Sequence, residues 1–96
     1  MLLIGERSSV PVGVVRFDIT SSEAEVSIHL VPGTEEPGLG GELLQRAEEW
    51  LTEQRPDVSG IRAHVLGFNV RSQKMFASQG YQTDGMAFKK SLHHDA

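Results

Sequence analysis

Residues 24–44 read AEVSIHLVPGTEEPGLGGELL, and the fold turns on the change of period inside this stretch. Over Ala24–Val31 apolar and polar residues alternate at period two, with Ala24, Val26, Ile28 and Leu30 on one side and Glu25, Ser27 and His29 on the other, which predicts a strand. Pro32–Gly38 then places two prolines and two glycines within seven residues, so regular structure cannot continue through it. From Leu39 the period becomes 3.6: Leu39, Leu43, Leu44, Ala47, Trp50 and Leu51 share a face, opposite Glu42, Arg46, Glu49 and Glu53. The stretch is strand, loop, glycine cluster, amphipathic helix.

Working outward, Met1–Arg7 and the β-branched run Val10–Ile19 flank Ser8-Ser9 and predict a hairpin, with Thr20–Glu23 turning the chain into the strand above. On the other side Pro56-Asp57 ends the helix, Ile61–Leu66 returns as a strand, and Gly67-Phe68 breaks it. Asn69 is the expected N-cap of a second helix, Val70–Gln79, which Gly80 stops. Tyr81–Gln82 and Met86–Leu92, joined around Asp84-Gly85, predict a last hairpin, and residues 93–96 a frayed tail. The order β-β-β-α-β-α-β-β predicts one domain over residues 1–92, of α/β (α+β) class: a single mostly antiparallel mixed sheet of about six strands with two helices.

Composition narrows the chemistry. The 96 residues contain no cysteine, which excludes disulfides, thiolate metal sites and a cysteine nucleophile, and makes a cytoplasmic location the default expectation. No apolar run approaches the roughly 20 residues of a membrane span. The net charge is −4, with 4 basic and 11 acidic residues in 1–57 against 5 and 2 in 58–96. That balance argues against nucleic acid as a partner, while leaving enough basic groups near the C-terminus for one small phosphorylated ligand. His93-His94-Asp95 lies in the tail and is not read as a metal site.

Two features carry function. The polar faces of three strands (Arg16 and Asp18; Glu25, Ser27 and His29; Arg62 and His64) fall on one side of the sheet, which is either simply wetted or a reaction or partner surface. The second is Gly38-Leu39-Gly40-Gly41 at the start of the helix. Its glycines leave backbone N–H groups bare at the positive end of a helix dipole, where a phosphate or pyrophosphate is held without cationic side chains. No Lys-Ser or Lys-Thr follows, so this is not a P-loop, and Leu43 stands where a dinucleotide fingerprint needs its third glycine.

One strand further on, Asn69, Ser72, Met75, Phe76, Gly80 and Tyr81 spell Asn-x-x-Ser-x-x-Met-Phe-x-x-x-Gly-Tyr. With Leu30-Val31-Pro32 and Gly38–Gly41, the sequence here resembles the GNAT superfamily of acetyl-CoA-dependent N-acetyltransferases over roughly residues 10–90. The resemblance implies acetyl-CoA as co-substrate and no metal. It implies pyrophosphate on the amides of Gly38, Leu39, Gly40 and Gly41, and pantetheine along Leu30 and Val31. One main-chain N–H near that strand end would polarise the thioester carbonyl. Asn69, Ser72, Lys74 and Phe76 complete the implied cofactor contacts, with Arg71 beside Lys74.

The implied reaction is direct acetyl transfer to a primary amine of a small acceptor such as an amino sugar. Glu25, His29 and, across the sheet, His64 are the candidate bases. The sequence departs from the family pattern at Glu35, where Arg or Gln is usual, and at Phe76, where many members place a tyrosine that protonates the departing thiolate. Family members also begin with a strand and two helices that wall the acceptor site, whereas the first strand here aligns with the family's second. Two readings of that difference stand: an open acceptor site, or a wall supplied by a homodimer mate or another chain. A module that binds coenzyme A weakly, or works through protein contacts, is the alternative to an enzyme.

Overall fold

The computed structural model describes residues 1–33, 36–64, 70–84 and 87–92. Of the residues singled out above, Glu35, Gly67, Phe68, Asn69, Gly85, Met86 and the 93–96 tail lie outside them, as does the C-terminal end of the Ile61–Leu66 strand.

Six strands and two helices follow in the order β1 (Leu2–Arg7), β2 (Val10–Thr20), β3 (Glu23–Leu30), α1 (Leu39–Gln54), β4 (Gly60–His64), α2 (Val70–Ser78), β5 (Gln82–Asp84) and β6 (Ala87–Ser91). They form one sheet with spatial order β1-β2-β3-β4-β6-β5, antiparallel everywhere except between β3 and β4. That single parallel pair follows from the sequence, since α1 separates the two strands and carries the chain back to its starting edge.

Local chemistry explains the turns and ends. Arg7 pairs with Val10, so Ser8 and Ser9 alone make the first turn, both with positive φ (53° and 66°), the left-handed geometry that matches strand twist in a two-residue hairpin. The pairing shifts by one residue between Gly5 and Glu6, a bulge that bends β1. Helix α1 ends where Pro56 forbids continuation, with the Arg55 N–H still donating to Leu51 O (2.8 Å) and its guanidinium bonded twice to Asp57 (2.9 Å each).

The apolar stripe of α1 packs on one side of the sheet. Leu44 and Leu51 have no exposed surface and meet Val15, Phe17, Val26 and Ile61, while Phe76 of α2 joins the same cluster with Tyr81 and Phe88. Both helices therefore cover one face. The other carries Arg16, Asp18, Glu25, Ser27, His29, Arg62 and His64, as the alternation predicts, and among the described residues no helix lies over it.

Candidate active site

Among the described residues β3 and β4 pair at Glu23–Gly60, Ala24–Ile61 and Glu25–Arg62 and nowhere else. Beyond that, among the described residues Val26 and Ser27 of β3 have no pairing with Ala63 and His64 of β4, so the two parallel strands open like a V in the middle of the sheet. Backbone polar groups point alternately to the two sides of a strand. The Val31 N–H donates to Val12 O (2.9 Å), which places the odd-numbered residues of β3 in bonds to β2 and turns the N–H and C=O groups of Ile28 and Leu30 into the opening. The Leu92 N–H on Ser59 O (2.8 Å) sets the same alternation across β4 and β6, and directs the His64 backbone into the opening from the other arm.

A cavity of about 320 Å³ fills the V, lined by β3 from Val26 to Leu30, by His64, and by Ser72, Met75 and Phe76 of α2. Its walls include Ser27 and His29 from the open face as well as Val26 and Ile28 from the helix face, so the passage runs through the sheet. A second cavity of about 420 Å³ lies between the start of α1 and α2, and shares Leu30, Gly40, Ser72 and Met75 with the first. The two form one bent cleft from the open face to the N-terminus of α1.

That helix end is built without a side-chain cap. Gly38 takes φ 85° with open space where a Cβ would stand, and the Leu39 N–H is already bonded to Glu36 O (3.1 Å). The N–H groups of Gly40 and Gly41 fall in the first turn, where no preceding helical carbonyl exists to receive them. A Cβ on Gly40 would stand 2.8 Å from the Met75 sulfur, and one on Gly41 2.9 Å from the Gln79 amide nitrogen. Glycine at these positions lets α2 close in, which brings Arg71 and Lys74 to the wall of the same cavity. Neither cation has a carboxylate partner among the described residues, and Glu36, the acidic group on that wall, is ion-paired to Arg7. Bare amides, a helix N-terminus and two cations suit the diphosphate of coenzyme A, and the narrower apolar passage past Leu30 suits its pantetheine arm.

The expected residues divide by position. Leu30, Gly38, Gly40, Gly41, Ser72, Lys74 and Phe76 line the cleft, and so do His29 and His64. Leu39 is 3% exposed and packs inward, and the Val31 N–H is committed to Val12, which leaves Leu30 as the strand-end donor facing the opening. Glu25 stands where the two arms are still joined, paired across to Asp18 and Arg62 on the open face and away from the cavity wall.

Tyr81 is spoken for. Its hydroxyl donates to Glu48 Oε2 (2.6 Å), Lys90 Nζ donates to Glu48 Oε1 and to Gln79 O (2.8 Å each), and the ring packs edge-on to Phe76 at 5.1 Å. Burial first, and then the Glu48 carboxylate, hold the phenol proton far above its ordinary pKa. The phenol has no proton to spare for a leaving group in the cleft. Glu48, 7% exposed, escapes a reading of the sequence by motif, yet its position four residues after Leu44 and three before Leu51 marks a carboxylate on the buried stripe.

The sequence profile of the acetyltransferase (GNAT) family matches residues 1–81. The chain belongs to that family. Among curated proteins none matches it in sequence. Among solved structures this GNAT chain resembles the ribosomal-protein-alanine N-acetyltransferase of Brucella melitensis (TM-score 0.84, 20% identity, 94% of this chain and 67% of that one). It also resembles the ribosomal-protein-S18-alanine N-acetyltransferase of Escherichia coli (0.85, 13%, 100% and 71%) and a PaiA N-acetyltransferase of Thermoplasma acidophilum solved with coenzyme A (0.78, 23%, 95% and 60%). At these identities the likeness establishes the fold, and the chain spans 60% to 71% of the three structures. No helix of the described GNAT chain is long and apolar enough to cross a membrane.

Proposed function

We propose that the protein is an acetyl-CoA-dependent N-acetyltransferase acting on a primary amine of a small acceptor, such as an amino sugar. One observation carries the reading: the β3–β4 opening joins, in one cleft, an uncapped helix start flanked by Arg71 and Lys74 to a passage that emerges on the open face between His29 and His64. When bound, acetyl-CoA supplies the acetyl group as an activated thioester. Gly40 and Gly41 offer their N–H groups, and Arg71 and Lys74 their charge, to the diphosphate. Ile28 and Leu30 offer the pantetheine arm the backbone pairing that a neighbouring strand would otherwise take.

The Leu30 N–H is the preorganised donor for a carbonyl oxygen that gains negative charge, an interaction commonly worth about 3 kcal/mol of barrier. His29 lies on the acceptor side and takes the proton that an attacking ammonium must lose. Phe76 carries no proton and Tyr81 keeps its own, so the departing thiolate is protonated from solvent.

The test is a panel of primary amines, amino sugars included, incubated with acetyl-CoA and read by the mass of the product, beside Gly40→Asp, whose carboxylate takes the phosphate space. Acetylated product from the parent chain and none from Gly40→Asp supports the reading. Thioester consumption equal in the two proteins, or absent with every amine despite coenzyme A binding, refutes it.

A further inference from the structure

The loop that leads into the phosphate cradle is acidic just where a negative ligand is to be held. Glu36 stands two residues before Gly38 and lines the same cavity as Gly40, Gly41, Arg71 and Lys74. Its carboxylate is claimed from outside that cavity, by Arg7 at the end of β1, which lines the groove between β1 and α1 instead. One guanidinium nitrogen of Arg7 donates to Glu36 Oε1 and the other to Glu42 Oε2 (3.1 Å), across 29 and 35 residues of chain. Packing brings these groups together: at Gly5 a Leu43 methyl occupies the place of a Cβ, so the start of α1 lies against β1 and its first-turn carboxylate Glu42 comes within reach of Arg7. Glu42 has Arg46 as a second partner (3.5 Å), whereas among the described residues Arg7 alone pairs with Glu36.

We infer that Arg7 is a positioning residue of the cofactor site, holding the Glu36 carboxylate off the cradle that the diphosphate of coenzyme A occupies. The inference rests on the acetyl-CoA reading above. Gly38, the N-cap of α1, has no side chain to satisfy the first-turn N–H groups, and Glu36 is the first described acidic residue ahead of it in the chain. Released from Arg7, its carboxylate meets three attractors on the cavity wall: the N–H groups of Gly40 and Gly41, the Arg71 guanidinium and the Lys74 ammonium. Each of these is a group that the diphosphate needs. Without Arg7 the loop therefore carries its own competitor for the site, and a full negative charge stands beside any anion that enters. The ion pair is 48% and 50% exposed at its two side chains, and pairs so exposed add little to folding stability. The loss of Arg7 falls on anion binding and not on the fold.

The test is calorimetric titration of coenzyme A into the parent chain, Arg7→Gln, Glu36→Gln and the double variant, with acetyl-transfer kinetics and thermal melts on the same four proteins. Arg7→Gln is expected to raise Kd for coenzyme A about tenfold, and KM for acetyl-CoA with it, while kcat stays within about twofold. Adding Glu36→Gln is expected to bring Kd back to within about threefold of the parent, and Glu36→Gln alone to bind coenzyme A at least as tightly as the parent. Tm is expected to stay within a few degrees across the set. A merely structural Arg7 would also weaken binding when lost, but removing a charge at Glu36 would not then restore it. Unchanged affinity in Arg7→Gln, a loss that Glu36→Gln does not relieve, or weaker binding by Glu36→Gln alone overturns the inference. The expected binding pattern without acetyl transfer to any amine upholds the role of Arg7 and refutes the transferase reading, and a parent chain that binds no coenzyme A overturns both.

Discussion

Replacing Tyr81 by Phe deletes one atom and separates two roles for the phenol, structural lock or proton donor. In the structure the hydroxyl is buried and 2.6 Å from the Glu48 carboxylate, which then keeps only Lys90. A hydrogen bond to a charged group contributes about 1.5–3 kcal/mol. In a domain of this size each kcal/mol moves the midpoint by about 4–8 °C, so Tm is expected to fall by about 6 °C or more. The phenol also sets an alkaline limit. Its pKa is raised in the folded protein above the ordinary value of 10.0, so the unfolded chain sheds this proton above pH 10 while the folded chain keeps it. Stability from this group is complete below pH 10 and declines by about 1.4 kcal/mol per pH unit above it, a slope that Tyr81→Phe removes. Thermal melts at pH 7.5 and pH 10.5, with steady-state acetyl transfer measured well below Tm, make the assay. An unchanged Tm together with a kcat fallen a hundredfold would refute the reasoning and give the proton to the leaving thiolate.

Further predictions concern the turns and the cleft. Gly38→Ala forces a side chain into a left-handed residue and is expected to cost about 1 kcal/mol, read as a Tm loss of about 4–8 °C, with the fold retained because nothing stands near the new methyl. Ser9→Gly relieves the left-handed turn residue and should raise Tm by a few degrees; a fall would mean that the turn is not of the geometry described. His29→Gln should lower kcat by roughly 10²-fold or more with coenzyme A affinity unchanged, while Glu25→Gln, away from the cavity, should leave kcat within about threefold. Steady-state kinetics on both variants checks the assignment, and the reverse order of effects would move the base to Glu25.

Much of this architecture is legible in the sequence because the decisive signals are local. Alternation over Ala24–Leu30, the Pro and Gly cluster after it and the 3.6 period from Leu39 each arise from the pattern of a few neighbouring residues, and the structure begins α1 at Leu39 as they require. What depends on contacts between distant segments is not legible in this way. Glu48 meets Tyr81 and Lys90 across 33 and 42 residues, and no pattern announces the pairing. The choice between Leu30 and Val31 as the free strand-end donor rests on which way one peptide faces, and that is set by the register with β2. The position of Glu25 at the closed end of the V likewise depends on where β3 and β4 part, which is set by pairing between strands that α1 separates in the chain. Gly40 and Gly41 read as a phosphate motif in the sequence. In the structure they also give α2 its close approach, so one pair of residues serves packing and binding together.

The most direct measurement is a titration of the ¹⁵N-labelled chain with acetyl-CoA, followed through the backbone amides. Saturable shifts are expected at Gly40, Gly41, Leu30 and Ile28, with Val31, whose N–H is held by Val12, responding less than Leu30. Amides of Gly40 and Gly41 that stay in place at millimolar ligand would contradict the account.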